Sequence, residues 1–413
     1  MTAATLRKNL DKTTRAGVLL ALLSSAPAAA QPAPLTYDAA LSLAMARNLG
    51  LEAARRQRAI REAAIRTARQ IPNPDMALEV SRDTPHQVFS IDVPVEIAGL
   101  RRRRIDLARE EATLADLDVQ AELRSVRRDL RRAFYALVAA DERVRLAQEA
   151  VDIARRVRDA AQARFEAGAV PRLEVLQADL GVTRAETDLE LARSTRVSSQ
   201  ASLAAVLNFA PDEPLAVSGT LADGAQTTLT YERALALASA SNPDLAAVDR
   251  QMAIEERRLQ LVRAERVPTP IFSVSSLFNT PEFDVGPRAA LTVGLPLFSR
   301  NQGEIAGSIA ASSQLAARRA ALRRDLENQV FAALARVDAQ RRQAEAFARQ
   351  LVPTAANLEA LAEESYRAGR TSVLGVFEAQ RNLRDIQRDA LQASLDLQMA
   401  LADLEELIGT PLP

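Results

Sequence analysis

Few residues in this sequence are of types that perform chemistry. The 413-residue chain has one histidine, His86, and no cysteine. A lone imidazole is too little for a zinc site, which needs several nitrogen, sulfur or carboxylate ligands. The sequence has no phosphate-binding loop, nucleophile elbow or HExxH motif, and its acidic residues are dispersed along the chain as surface charge is. We therefore predict no enzyme, no cofactor and no metal site, and we place His86 in a loop.

The composition favours long alanine-rich helices over a compact globule. Hydrophobic residues make up 48% of the chain, but aromatic residues only 4%, and there is no tryptophan. Such a chain can bury a large apolar surface without the rings that usually fill a globular core. The 53 basic and 53 acidic residues balance, so nothing in the charge indicates nucleic acid as a partner.

The first thirty residues are typical of a cleavable secretory signal. A basic start is followed by the apolar run at 16–23 and by small residues up to Ala30, after which we predict cleavage. The alternative is a short membrane anchor, but the apolar run is too short to span a bilayer. Removing residues 1–30 takes away four basic residues and Asp11, which leaves 49 basic and 52 acidic residues. We expect an exported protein that carries no lipid on cysteine.

Two stretches, 101–208 and 303–408, predict long helical hairpins. Apolar residues recur every three or four positions, as in a coiled coil, and the interruptions fall near Gly168 and Gly369. Glycine adopts the left-handed conformation that ends a helix, and Pro171 suits the start of the next. The 66 residues from Arg101 to Glu166 contain no proline or glycine, so the first arm would be roughly 100 Å long. On the hairpins alone, a plain antiparallel coiled coil without a channel is the favoured interpretation.

The chain is a tandem duplication. Residues 35–57 and 229–251 share 13 identities in 23 aligned positions, beginning with Leu-Thr-Tyr in both. We predict a first structural repeat at 31–215, a linker at 216–228 that is rich in turn-forming residues, and a second repeat at 229–413. The two repeats carry the helical hairpins with tips near 168 and 369.

Each repeat also contains a segment in which apolar residues alternate with small or polar ones, which predicts β-hairpins at about 75–96 and 270–298. The length suits tilted strands that cross a bilayer, and a soluble hairpin packed on the helices is the alternative. Four strands are too few to close a membrane barrel, and lipid-exposed sheet edges are not tolerated. A membrane barrel would therefore be shared between chains, with eight strands in a dimer or twelve in a trimer.

In these features the sequence resembles the TolC family of bacterial outer-membrane efflux channels. The resemblance covers nearly the whole mature chain. It lies in the duplicated Leu-Thr-Tyr openings, in Pro72-Asn73-Pro74 before the first strand, in Gly294-Leu295-Pro296-Leu297-Phe298, and in the two turns that end at Ala167-Gly168 and Ala368-Gly369.

The resemblance implies a mainly α-helical homotrimer with a small membrane β part. The tandem hairpins would form a helical barrel across the periplasm, and four strands per chain would form a twelve-stranded barrel among outer-membrane lipids. The implied partners are a periplasmic adaptor protein and an inner-membrane efflux transporter. The Pro72-Asn73-Pro74 opening looks most like the subgroup that serves heavy-metal exporters of the resistance-nodulation-division class.

The resemblance also implies a gate at the hairpin tips. By position, Glu174, Glu378 and Tyr366 match the family's gate residues, and the tips at Gly168 and Gly369 would contact the adaptor. Gly375 stands where a further acid is often found, which puts a doubled acidic ring in doubt. A ring of one acid per protomer would favour cations. Alternatively, Glu174 only stabilises a helix N-terminus, Glu378 is an ordinary surface residue, and Tyr366 only packs.

Two other classes of protein share parts of this pattern. A periplasmic adaptor also has a coiled-coil hairpin, but we would expect one hairpin and more β structure. A structural coiled-coil protein of the cell envelope would need no membrane strands. The duplication and the strand segments favour the channel.

Overall fold

The computed structural model describes residues 34–82, 87–222, 229–278 and 287–412. The predicted signal peptide, the predicted turn that contains His86, and positions 223–228 of the predicted linker lie outside these ranges. The described part is mainly helical with one small sheet, as predicted. Within it, no helix is long and apolar enough to cross a membrane.

In the first half of the chain, the described residues form four helices and two strands. They are α1 (Tyr37–Arg47), α2 (Leu49–Ala68), β1 (Asp75–Val80), β2 (Gln87–Pro94), α3 (Leu100–Glu166) and α4 (Arg172–Leu207). Both short helices begin at a side-chain cap. The Thr36 hydroxyl accepts from the N–H of Ala39, and the Asn48 side chain accepts from the N–H of Leu51 at 3.0 Å, which satisfies otherwise unpaired helix donors.

The second half repeats this order. It contains α5 (Tyr231–Ser241), α6 (Pro243–Ala264), β3 (Ile271–Phe278), β4 (Pro287–Thr292), α7 (Gln302–Ala346), α8 (Val352–Arg367) and α9 (Val373–Ile408). The caps recur at Thr230 and Asn242. The outgoing arm of the second hairpin differs from α3, because a π-helical turn, Phe347–Leu351, separates α7 from α8.

The π-helical turn corrects the prediction of a single interruption in this hairpin. Before the turn, buried residues of α7 lie 200 positions after their counterparts in α3, as Val330 does after Leu130. After it the offset is 201, as for Ala154 and Ala355. A π-helical turn accommodates one extra residue in an α-helix. The second arm therefore carries a one-residue insertion and returns to the register of the first arm.

The four strands form one antiparallel sheet in the order β1-β2-β3-β4. The two predicted hairpins are joined by pairing of β2 with β3, in which Pro94 lies opposite Ile271. The prediction that the second β-hairpin extends to about residue 298 was wrong, because the last strand ends at Thr292. Leu291 lies near the end of β4, and Val293, Leu295 and Leu297 follow the strand, because the chain has already turned towards α7.

Each hairpin has its own core at the end near α1 or α5. In both cores a short helix contributes two alanines with no exposed surface, and larger aliphatic residues come from the two arms of the hairpin. The first core contains Ala40, Ala44, Leu130, Phe134, Leu137, Leu203 and Leu207, and the second contains Ala234, Ala238, Val330, Val337, Leu401, Leu404 and Ile408.

Part of the predicted linker is bonded to the start of the first repeat. The N–H of Leu35 donates to the carbonyl of Ala216 at 2.8 Å, and the N–H of Ser218 donates to the carbonyl of Leu35 at 3.0 Å. These bonds form an isolated parallel bridge between Leu35 and Val217. Residues 216–218 therefore hold Leu35, at the start of the first repeat, against the end of α4.

Candidate functional site

The two hairpin tips have the same backbone turn. Gly168 has φ +72° and Gly369 has φ +69°, a left-handed conformation that favours glycine. In the first tip, Gly168 N–H donates to the Phe165 carbonyl and Ala169 N–H to the Arg164 carbonyl, both at 2.9 Å. The second tip repeats both bonds from Gly369 and Arg370. These bonds satisfy carbonyls at the end of a helix and fix where the neighbouring side chains point.

Three side chains meet where the tip of the first hairpin contacts the second. Tyr366, in the last turn of α8, donates its hydroxyl proton to Glu174 Oε1 at 2.9 Å. Arg164, in the last turn of α3, places Nη1 3.5 Å from the same carboxylate oxygen. The Arg164 guanidinium also lies over the Tyr366 ring, 4.5 Å from its centre. We call Arg164, Glu174 and Tyr366 the tip cluster.

The tip cluster is shielded from water to different degrees. The Glu174 side chain is 14% exposed and that of Arg164 is 35% exposed. Burial, followed by the hydrogen bond to Glu174, raises the pKa of Tyr366. A phenol with a raised pKa stays protonated at neutral pH, and it can therefore remain the donor to the carboxylate.

An apolar cluster supports these polar contacts. Val157, Tyr366, Val373 and Val376 are buried together, and Phe377 packs against them. A Cβ atom placed on Gly181 of α4 would lie only 3.2 Å from the Phe377 ring. The first and second hairpins therefore pack closely just above the tip cluster, which holds Glu174 within reach of Tyr366.

The structure brings two of the three predicted gate residues together. Glu174 and Tyr366 share a hydrogen bond, whereas Glu378 lies exposed on α9 outside the tip cluster. Sequence reasoning did not assign Arg164 a role. Its position gives a usable signal, because Arg164 and Glu174 are equally distant from residue 169 in a hairpin that turns there. Opposite charges at such positions face each other across the turn.

Within the described ranges, no group of three or more histidine, aspartate or glutamate side chains is arranged to hold a metal ion. His86 lies outside those ranges. The polar chemistry of the tip cluster is hydrogen bonding and ion pairing.

Two long helical hairpins joined to a four-stranded sheet, with a polar contact between their tips, match the architecture expected of an outer-membrane channel. The chain belongs to the outer membrane efflux protein family, whose model matches residues 40–208 and 234–410. It is therefore a transport protein of the outer membrane. The match favours the channel over the adaptor and over the structural coiled coil.

Known proteins resemble the chain over nearly its whole length. The cobalt-zinc-cadmium resistance protein CzcC of Cupriavidus metallidurans is 30% identical over 360 residues, which cover 85% of this chain and 84% of CzcC. The structure of CusC has a TM-score of 0.75 at 15% identity and covers 91% of this chain and 92% of its own. The open state of the MtrE channel of Neisseria gonorrhoeae has a TM-score of 0.74 at 18% identity, with 91% and 89% covered. These likenesses show the same fold.

Proposed function

We propose that the protein is one third of a homotrimeric duct that carries substrates out through the outer membrane. Its partners would be a periplasmic adaptor and an inner-membrane transporter of the resistance-nodulation-division class. The similarity to CzcC, a cobalt-zinc-cadmium resistance protein, supports metal cations as the class of substrate. The ring assembly is supported by a difference between equivalent helix faces of the two repeats. One pair of helices, α3 and α9, is joined by polar contacts. The equivalent positions on α7 and α4 carry apolar side chains that are exposed.

Inside the chain, the two hairpins contact each other through α3 and α9. Arginines at several positions along α3 donate hydrogen bonds to polar side chains on α9. Their contacts are Arg128 Nη1 to Glu406 Oε1 at 2.6 Å, Arg131 Nη1 to Glu405 Oε1 at 2.5 Å, Arg131 Nη2 to Gln398 Oε1 at 3.0 Å, and Arg143 Nη2 to Gln392 Oε1 at 2.5 Å. A row of polar contacts therefore joins the outgoing arm of one repeat to the return arm of the other.

The equivalent faces of α7 and α4 carry different residues. At the offset of 200, Arg131 of α3 corresponds to Phe331 of α7, and at the offset of 201, Gln398 of α9 corresponds to Val197 of α4. Phe331 is 66% exposed and Val197 is 64% exposed. Leu191, the counterpart of Gln392, is 68% exposed. Within a single chain, α7 and α4 do not make the contact that α3 and α9 make. The equivalent positions on α7 and α4 nevertheless carry apolar side chains.

A second copy of the chain would complete this contact. If α7 of one copy packs on α4 of the next, as α3 packs on α9, then Phe331, Val197 and Leu191 become buried. Such an interface joins different surfaces of the two copies, and it closes into a ring when the rotation allows. Three copies would give six hairpins and a twelve-stranded barrel, an even number as in bacterial membrane barrels.

We propose that the tip cluster holds the duct closed, and we call its contact between Tyr366 and Glu174 the latch. The bond from Tyr366 to Glu174 joins the two hairpins of one protomer, and a duct that dilates at its tips would have to separate them. Glu174 also carries negative charge towards the constriction, as Glu378 does from its exposed position on α9. The turns at Gly168 and Gly369 would meet the adaptor, because they form the end of the molecule opposite the sheet.

The latch is tested by conductance of the purified protein in planar bilayers. Tyr366→Phe removes the hydroxyl donor and keeps every charge. A hydrogen bond to a charged group contributes about 1.5–3 kcal/mol, so we expect the ratio of open to closed channels to rise at least about tenfold with unchanged ion selectivity. Glu174→Gln also removes a charge and should lower cation selectivity. Glu378→Gln should lower selectivity without opening the channel.

The matched controls are Tyr231→Phe, whose ring packs on Phe331 away from the tips, and Glu364→Gln, an exposed acid on the same helix as Tyr366. Both should behave as the wild type. Equal opening in Tyr366→Phe and Tyr231→Phe would contradict the latch. Unchanged cation selectivity in both Glu174→Gln and Glu378→Gln would remove the gate assignment.

A further inference from the structure

Exposed arginines gather where the helices meet the sheet. The start of β1, the end of β2, the start of β3 and the end of β4 lie at one edge of the sheet, as the pairing of Asp75 with Asp92 and of Ile271 with Thr292 requires. The ends of the helices that flank this edge, together with the residues next to them, carry seven exposed arginines. They are Arg66, Arg69, Arg101, Arg102, Arg263, Arg266 and Arg300.

These seven arginines differ from most others in the described part of the chain. Arginines along the long helices commonly form ion pairs with acids on the same or a neighbouring helix, whereas none of the seven lies within 4.0 Å of a described carboxylate. Backbone carbonyls hold two of them in place. Arg101 Nε donates to the Arg69 carbonyl at 2.8 Å, and Arg300 Nε donates to the Pro296 carbonyl at 3.2 Å.

The two repeats each have an open cleft at this level, and only one of the two clefts is strongly cationic. The cleft of the first repeat, about 650 Å³, has one arginine in its lining, Arg104. Both guanidinium Nη atoms of Arg104 are bound by the Glu96 carboxylate, at 2.5 and 3.0 Å. The cleft of the second repeat, about 440 Å³, is lined by Arg263, Arg266 and Arg300 together with Val267 and Pro296.

The surroundings of the second cleft are apolar on the side of the sheet. Leu295 is 71% exposed, Leu297 is 62% exposed and Phe298 is 92% exposed. They lie in the segment between β4 and Arg300, directly next to Pro296 in the cleft wall. Two acids are also near, since Glu265 lies between Arg263 and Arg266 in sequence and Glu304 begins α7, but neither forms an ion pair with the three arginines. An anion with an attached apolar chain matches this arrangement.

We propose that the second cleft binds the phosphate of an anionic phospholipid from the leaflet that faces the periplasm. The three guanidinium groups would hold the phosphate, and the acyl chains would run past Leu295, Leu297 and Phe298 towards the strands. Arginine suits this role because its planar donors bind phosphate oxygens in pairs. The inference depends on the proposed function, which places the sheet in the bilayer. The apolar segment favours a lipid over free phosphate.

The test counts bound lipids on the purified protein in detergent micelles. Native mass spectrometry after titration with phosphatidylglycerol or phosphatidylcholine gives an apparent affinity for each lipid. Basic residues near a membrane surface strengthen its attraction for anionic lipid. We therefore expect phosphatidylglycerol to bind on the order of tenfold or more tightly than phosphatidylcholine, and the triple variant R263Q/R266Q/R300Q to lose this preference.

The control variant R318Q/R342Q/R349Q removes the same charge from exposed arginines further along the second outgoing arm, and it should keep the preference. Circular dichroism and size-exclusion chromatography confirm that both variants fold and assemble. The inference is overturned if wild-type protein binds both lipids equally, or if the first triple variant keeps the preference. Competition by inorganic phosphate or glycerol phosphate at the concentration of the lipid would overturn the assignment to lipid.

Different results contradict lipid binding in the cleft and the proposed channel function. Wild-type protein that conducts ions in planar bilayers but does not distinguish the lipids contradicts only the cleft. Wild-type protein that forms no channel contradicts the proposed function, and this result requires no lipid count.

Discussion

The buried contact between Arg131 and Glu405 should be the most costly polar contact to break between the two hairpins. Arg131 is 5% exposed and Glu405 is 6% exposed, and Arg131 Nη1 lies 2.5 Å from Glu405 Oε1. Glu405 Oε1 also accepts from the N–H of Leu412 at 2.9 Å. Glu405→Gln keeps the shape of the side chain but leaves the Arg131 cation buried without its counter-charge.

Breaking one partner of a buried ion pair costs about 3–5 kcal/mol. In a chain of this size each kcal/mol lowers the melting temperature by roughly 2 °C, so we expect a fall of about 6–10 °C. The neighbouring pair on the same helices provides the matched control. Arg128 and Glu406 are 2.6 Å apart, but their side chains are 27% and 33% exposed. Exposed pairs contribute about 0–1 kcal/mol, and Glu406→Gln should therefore melt within about 2 °C of the wild type.

The assay is thermal unfolding in detergent, followed by circular dichroism at one protein concentration and one heating rate, because the melting of an assembled membrane protein depends on both. The double variant Arg131→Met/Glu405→Leu removes both charges, and it should recover part of the loss. Equal melting temperatures for Glu405→Gln and Glu406→Gln would refute the reasoning, since burial alone distinguishes the two pairs.

Further predictions concern single residues. Burial and the charge of Glu405 raise the pKa of Tyr37 to about 12 from 10.0. The stabilisation that comes from this raised pKa is complete below pH 10 and is lost as the pH rises through about 12. The melting temperature should therefore fall more steeply between about pH 9 and pH 12 for the wild type than for Tyr37→Phe. Gly168→Ala and Gly369→Ala should each destabilise the altered tip by about 1–2 kcal/mol through the positive φ alone, because a Cβ there meets no atom within 4 Å. Faster protease cleavage confined to the altered tip would show this local destabilisation, and unchanged cleavage would contradict it. Phe331→Asp should leave the helix content unchanged and yield monomers on size-exclusion chromatography, and intact oligomers would contradict the proposed interface.

The sequence predicted the large features of the fold because those features depend on local patterns. A stretch of 66 residues without proline or glycine forms one helix, and Gly168 and Gly369 end helices as their conformational freedom predicts. The fourth strand was misplaced because alternating apolar residues continue past Thr292 into the segment that leads to α7. Alternation alone does not distinguish a paired strand from an extended connection.

The candidate site was only partly predictable. The resemblance supplied Glu174 and Tyr366, but their hydrogen bond joins positions 192 residues apart, and no local pattern reports such a contact. The pairing of Arg164 with Glu174 across the first turn has a signal in the sequence that was overlooked, whereas its contact with Tyr366 is known only once both tips are in place. The π-helical turn before Pro353 was missed for a related reason, since a one-residue insertion becomes visible only when buried positions on either side are compared.

Crosslinking between copies tests the central claim that the chain is one segment of a ring. The chain has no cysteine, so the pair Leu191→Cys/Gln343→Cys can be joined by a short thiol crosslinker in intact outer membranes. Arg143→Cys/Gln392→Cys is the control, because these are the repeat-related positions that already touch inside one chain. We predict covalent species up to a trimer from the first pair and only crosslinked monomer from the control. Monomer alone from both pairs would contradict the account.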